Sequence, residues 1–262
     1  MYILKVAYNE NNYGFQSQPH KETVCDKIMD ALKECNYLKK DKILFYGGRT
    51  DKGVSAIGNF IVVELNQEPI LSHIYSKLKN KGIWILGYNK IGTIPEVKYR
   101  HYRYILPNID DNYNITLMKN ASKKLIGTHS FHNLSKRDRT KNKSPIRTIY
   151  DINIIGENPY YITIDVIGKS FLWNMVRKII TALSEIGKEN KPIDWIDKLL
   201  NENHKEGVAP APAEGLILMD AKTDVEYIYD SYVVNRFKKE WMDNYKKNIV
   251  KMGVCKNMIN NY

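Results

Sequence analysis

A carboxylate set between glycines is the first feature of this chain with chemical potential. In Gly47-Gly48-Arg49-Thr50-Asp51-Lys52-Gly53-Val54-Ser55, glycines flank Asp51 on both sides, and Arg49 lies two residues away. Glycine there allows a sharp turn and the close approach of a large substrate. Apolar runs on either side, Ile43-Leu44-Phe45-Tyr46 and Phe60-Ile61-Val62-Val63, place the loop between two strands. An exposed carboxylate on such a loop can act as a nucleophile or a base, and Arg49 would favour its ionised form. The same residues would also serve an aspartate that merely caps its own turn. A second chemical group stands far along the chain. Arg177 has Trp173 at i−4 and Ile180 at i+3 on a predicted helix, so it leaves a largely apolar face. An arginine in that setting needs an anionic partner, either Asp51 or another acidic loop residue.

The elements that must position these groups follow from periodicity and caps. Residues 2–8 are rich in β-branched and aromatic types and read as a strand. Thr23 with Asp26 three residues on is a helix-start signal, and Val24, Ile28, Leu32 and Cys35 then share one helix face. A strand over 59–65, a helix over 70–80 and a strand over 83–87 complete an α/β unit. Gly92 to Pro95 marks a break between halves. A strand over 102–106, a helix over 115–126, an alternating strand over 160–167, helices over 171–186 and 193–200, and a strand over 215–220 follow. The helix over 171–186 is expected to close at Gly187. Too many strands lie close together for a purely parallel sheet, so the class is α+β. The expected domains are 1–98, carrying the Asp51 loop, and 99–230, with 231–262 as a basic amphipathic helical extension. In that extension Val234, Phe237, Trp241, Tyr245, Ile249 and Met252 recur at helical spacing, which predicts a helix docked on the body with its basic side outward.

Composition bounds the class of partner. The chain has 262 residues and a net charge of +11, which suits a polyanionic partner whose counterions clustered lysines and arginines release. Lys136, Arg137, Arg139, Lys141, Lys143 and Arg147 form a basic run broken in charge by Asp138; it reads either as a solvated loop or as a clamp for a nucleic-acid backbone. Nineteen tyrosines offer stacking surfaces, though a strand tyrosine is ordinarily a core residue. The three cysteines, Cys25, Cys35 and Cys255, form no CxxC pair, so neither a disulfide framework nor structural zinc is expected. No signal peptide or long apolar span is visible, which makes the cytoplasm the expected location.

The loop around Asp51 resembles the Gly-Arg-Thr-Asp-x-Gly-Val catalytic loop of the TruA family of tRNA pseudouridine synthases. Three further segments match that family in the same order. Residues 8–18 (YNENNYGFQSQ) are similar to its opening loop, Phe171-Leu172-Trp173-Asn174-Met175-Val176-Arg177 resembles its Phe-x-x-x-Met-Val-Arg helix, and Ala211-Pro212-Ala213-Glu214-Gly215-Leu216 resembles its Ala-Pro-x-x-Gly-Leu segment. Asn9, Phe15, Lys52 and Ser55 stand where the family pattern has aspartate, tryptophan, alanine and histidine.

The resemblance implies two α/β domains with mixed, mainly antiparallel sheets that meet at a central catalytic cleft. It implies conversion of tRNA uridine to pseudouridine at positions 38 to 40 of the anticodon stem-loop, with Asp51 as nucleophile, no cofactor, no metal, and a homodimer as the working form. No DNA or membrane partner is expected. It further implies that Tyr102 contacts the flipped base and that Arg177 pairs with Asp51; Arg49 would either assist base extrusion, by contacting the neighbouring phosphate or filling the vacated space, or merely brace the loop. The isomerisation breaks a C–N glycosidic bond and remakes it through carbon with no net redox change, so side chains alone can carry it. The rival class is a noncatalytic tRNA-binding protein or RNA chaperone of the same fold, which would need no such trio as Asp51, Tyr102 and Arg177. A carboxylate-nucleophile phosphatase would need a second catalytic aspartate and a magnesium-binding cluster, which the sequence lacks.

Overall fold

Strand β1 (Tyr2–Tyr8) is buried on both faces, as its near-continuous apolar sequence requires. One face carries Ile3, which packs with Phe60, Val62 and Ala221; the other carries Leu4, Val6 and Tyr8, which join the main core. The structure, a computed structural model, describes residues 1–109, 112–136 and 144–259. After β1 come α1 (Val24–Glu34), β2 (Leu38–Tyr46), β3 (Ser55–Leu65), α2 (Leu71–Leu78), β4 (Ile83–Lys90) and β5 (Tyr99–Pro107). Then follow α3 (Ile115–Lys123), β6 (Gly127–Ser130), β7 (Ile146–Ile155), β8 (Tyr161–Gly168), α4 (Met175–Gly187), α5 (Trp195–Leu200), β9 (Leu216–Lys222), β10 (Ile228–Tyr229) and α6 (Ser231–Ile259). Thr23 caps α1 through a reciprocal capping box with Asp26, as its spacing predicts.

The strands form one sheet in the order β10-β4-β1-β3-β9-β5-β8-β7-β6, with β2 paired to β3. Around β1 and around β5 every pairing is antiparallel. The two regions join where β3 and β9 run parallel, Ser55 opposite Ile217 and Ala56 opposite Leu218. The expected meeting of two sheets is therefore a single ten-stranded sheet that runs across the 98/99 boundary. Glycine makes this seam possible. A Cβ on Gly58 would stand 2.0 Å from the Met219 carbonyl oxygen, so no larger residue admits β9 so close. Residues from beyond the boundary also return to the first half, since β10 pairs with β4.

Two further differences have simple causes. Helix α4 starts at Met175, not 171, because Asn174 adopts a left-handed φ of 60° and stops the helical turn there. Gly187 lies inside α4 rather than after it; a Cβ there would meet Met118 at 2.7 Å, so packing against α3 selects glycine. Helix α6 docks through its first three turns alone. Val233 and Val234 lie inward, and Phe237 and Trp241 pack on Trp84 with ring centroids 5.2 and 6.3 Å away. Beyond Trp241 the apolar stripe continues through Tyr245, Ile249 and Met252, all exposed. The helix of 29 residues extends roughly 44 Å, longer than the β4 and α2 wall on which it packs. No helix among the described residues is long and apolar enough to cross a membrane.

Candidate active site

The Asp51 loop connects β2 to β3 and is held by its flanking backbone. Gly47 N–H donates to the Phe60 carbonyl at 2.9 Å. Asn59, fully buried in β3, accepts from Gly48 N–H and donates to Gly48 C=O, both at 2.9 Å. The amide thus pairs both backbone groups of Gly48, which burial would otherwise leave unsatisfied. Asn59 also donates to the Tyr8 hydroxyl at 3.2 Å, which shares a hydrogen bond with Thr50 at 2.8 Å. Gly53 closes the loop at φ +85°, a conformation that favours glycine, and a Cβ there would stand 3.2 Å from Ala213 Cβ of the segment before β9. Asn59 was not legible as a site residue, although a lone amide in the apolar run of a strand is itself a signal.

This frame carries Asp51 to the seam between the half-sheets. Its Oδ2 accepts from Arg177 Nη1 at 3.4 Å, and its Oδ1 accepts from the indole Nε1 of Trp173 at 3.0 Å. The carboxylate remains about one-third exposed. Arg177, mostly buried on the first turn of α4, is fixed by donating through Nε to the Ala211 carbonyl at 2.5 Å, while Ala211 N–H donates back to Arg177 C=O at 3.1 Å. The helix start at Asn174 puts Trp173 in the preceding turn, where it faces Asp51 rather than lying one helical turn behind Arg177. Lys136 rests over the same indole, its ammonium 4.1 Å from the ring centroid. Periodicity alone hides Trp173, because a helix continued back to 171 would place it one turn behind Arg177.

Tyr102 on β5 forms the inner wall. It is buried, packs edge-on against Phe171 at 5.2 Å, and its hydroxyl would lie 3.6 Å from a Cβ placed on Gly48. Burial pushes its pKa up to about 12, with Arg100 opposing and Asp51 adding to the rise, so the hydroxyl stays protonated at neutral pH. Tyr104 packs deeper, its hydroxyl donating to Pro212 C=O at 3.1 Å. Arg100 spans the seam: Nε donates to Gly47 C=O at 2.8 Å and Nη1 to Lys169 C=O at 3.0 Å.

The remaining expectations divide. Arg49 is exposed and turns away from the carboxylate, its Nε donating to the Tyr46 hydroxyl at 2.8 Å; the ion pair of Asp51 is with Arg177, 126 residues distant, rather than with its sequence neighbour. Of the basic run, Lys136 stands beside the site through Trp173, and Arg147 donates to Ser144 C=O and Ile146 C=O. Arg137, Arg139, Lys141 and Lys143 lie outside the described residues.

A family model described as tRNA pseudouridine synthase matches residues 121–224. The chain is similar to proteins named tRNA pseudouridine synthase A from three archaea. It is 62% identical to that of Methanocaldococcus jannaschii, over 99% of this chain and 98% of the relative. It is 52% identical to that of Methanococcus maripaludis, over 99% of each, and 37% identical to that of Methanosarcina mazei, over 89% of each.

Proposed function

Because the chain belongs to the TruA family of tRNA pseudouridine synthases, and so is an isomerase acting on tRNA uridine, we propose that Asp51 is its nucleophile and that its targets lie at positions 38 to 40 of the anticodon stem-loop. One observation carries the assignment of the nucleophile. Asp51 is a half-open carboxylate on a loop whose backbone is pinned from beneath, bridged to Arg177 across the seam. A guanidinium anchored on the Ala211 carbonyl and set beside the carboxylate orients it for attack.

The reaction breaks the bond between C1′ and N1 and forms one between C1′ and C5; the C5 proton passes to solvent and N1 takes one up, and any bond to Asp51 is released again. Asp51 supplies the electron pair that captures the sugar C1′ or the pyrimidine C6. Tyr102, kept neutral by burial, offers an aromatic edge and a hydroxyl to the uracil while it is detached and turned. Arg49, exposed at the rim, is available to the phosphate next to the extruded nucleotide, which offsets part of a flipping cost of a few kcal/mol. The working form is a homodimer, as the family resemblance implies, and its expected location is the cytoplasm; sedimentation of the purified protein would return a monomer mass if the dimer is wrong.

The test uses tRNA tritiated at uracil C5. Pseudouridine formation must release one label per converted uridine, and carbodiimide mapping then locates the product. Label release with modification outside positions 38 to 40 would refute the site assignment while leaving the isomerase intact.

A further inference from the structure

Trp173 is the large aromatic closest to the Asp51 carboxylate that still faces solvent, at 49% exposure. Its edge donates to Asp51 at 3.0 Å and its face holds the Lys136 ammonium at 4.1 Å, while the Lys136 backbone N–H donates to Trp173 C=O at 2.8 Å. A tryptophan needed for packing alone would bury its ring, and one needed only to orient Asp51 would not leave half its surface in water. An exposed indole with a flexible cation on it matches the two parts of a nucleotide, a base that stacks and a phosphate that takes a positive charge.

Resting on the reading of Asp51 as nucleophile, we infer that Trp173 and Lys136 form a nucleotide-binding rim of the active site, at which an unpaired base of the incoming strand stacks on the Trp173 indole and Lys136 moves from the ring to the phosphate of that strand. The exchange conserves interactions. A cation–π contact at a solvent-facing ring is weaker than base stacking plus a phosphate contact. Lys136 suits the move because an ammonium is a compact point charge on a flexible stem. Asp51, held by Arg177, keeps one oxygen anchored while the indole edge shifts.

Trp173→Phe and Trp173→Ala separate this role from a bracing one. Binding to unmodified tRNA, measured by filter retention at fixed salt, should weaken at least about tenfold in Trp173→Ala and stay within about threefold in Trp173→Phe, since stacking needs the ring and not the N–H. Saturating tRNA should quench intrinsic fluorescence in the parent protein, and that change should be lost in Trp173→Phe. Lys136→Ala should lower the log–log salt slope of binding by about one. Parent-like affinity in both Trp173 variants, or equal weakening in both with unchanged melting, would overturn the proposal. Because the binding contrast is read without turnover, a failure of Asp51 as nucleophile would show in tritium release and leave this contrast standing.

Discussion

Two aspartates in this fold, Asp51 at the seam between the half-sheets and Asp165 on the opposite face of the second half-sheet, meet opposite fates. Asp165 on β8 sits across from Arg103 on β5 and accepts from Arg103 Nε and Nη2, both at 2.8 Å, and from His101 Nε2 at 2.9 Å. It is buried, which alone would raise its pKa, but the bonds from Arg103 and His101 outweigh that and hold its carboxyl below the usual range. Its oxygens are occupied by three short, well-aligned donors. Asp51 is more exposed and has an arginine at 3.4 Å and an indole N–H at 3.0 Å. What separates them is where the order is spent. At Asp165 the side chain itself is saturated; at Asp51 the backbone beneath is saturated by Asn59, and the carboxylate is left available. A reactive group held by its frame can be rigid and still free to react.

The contrast can be broken from either end. Asp51→Asn is expected to abolish tritium release, by at least about a thousandfold, or on the order of 4 kcal/mol in the barrier. Its melting temperature should stay close to the parent's, since the amide keeps the side-chain shape and Arg177 keeps its bond to the Ala211 carbonyl; a large drop in Tm would make Asp51 structural like Asp165. Asn59→Ala attacks the frame. Two backbone groups of Gly48 lose their partner in a buried site, so stability should fall by about 3 kcal/mol, and turnover should fall with Asp51 still present. Parent-like turnover in a destabilised variant would show that the frame does not position the proposed nucleophile.

Asp165→Asn should cost about 2 kcal/mol of stability, read by urea titration, with activity retained below the unfolding transition. Its pH dependence follows from the sign of the shift. The folded carboxyl lies below its unfolded value near 3.9, so its contribution is complete at neutral pH and is lost as pH falls through the folded pKa. The Tm difference between parent and Asp165→Asn should therefore shrink below about pH 4; a constant difference would remove the charge from the explanation. Arg177→Lys is the mildest change. Lysine keeps the charge but not the planar fork that holds Ala211 and Asp51 together, and turnover should drop at least about tenfold, or about 1.4 kcal/mol. Equal turnover in the lysine variant would mean that charge alone suffices.

Much of the local structure was legible because its causes are local. The Thr23 capping box lies within four residues, and the strand Tyr2–Tyr8 carries its own propensity. β6, β7 and the first half of β2 were not read as strands. β2 opens on Leu38-Lys39-Lys40-Asp41-Lys42, largely exposed, and owes its extension to pairing with β3 rather than to its own residues. The start of α4 is not visible in the sequence, because Asn174 in a left-handed turn looks there like one more polar helix residue.

At the site, the sequence by itself determined that an aspartate would stand on a glycine-bounded turn between strands, and that Arg177 would require an anion. Which anion, and which aromatic and which amide would surround it, was decided by tertiary structure. Asp51 and Arg177 meet only because Gly58 lets β3 and β9 pair, and Trp173 reaches the carboxylate only because the chain turns at Asn174. Periodicity records which face of an element is apolar, over a few residues. It carries no term for the register between strands more than 150 residues apart, and that register sets the chemistry of this site.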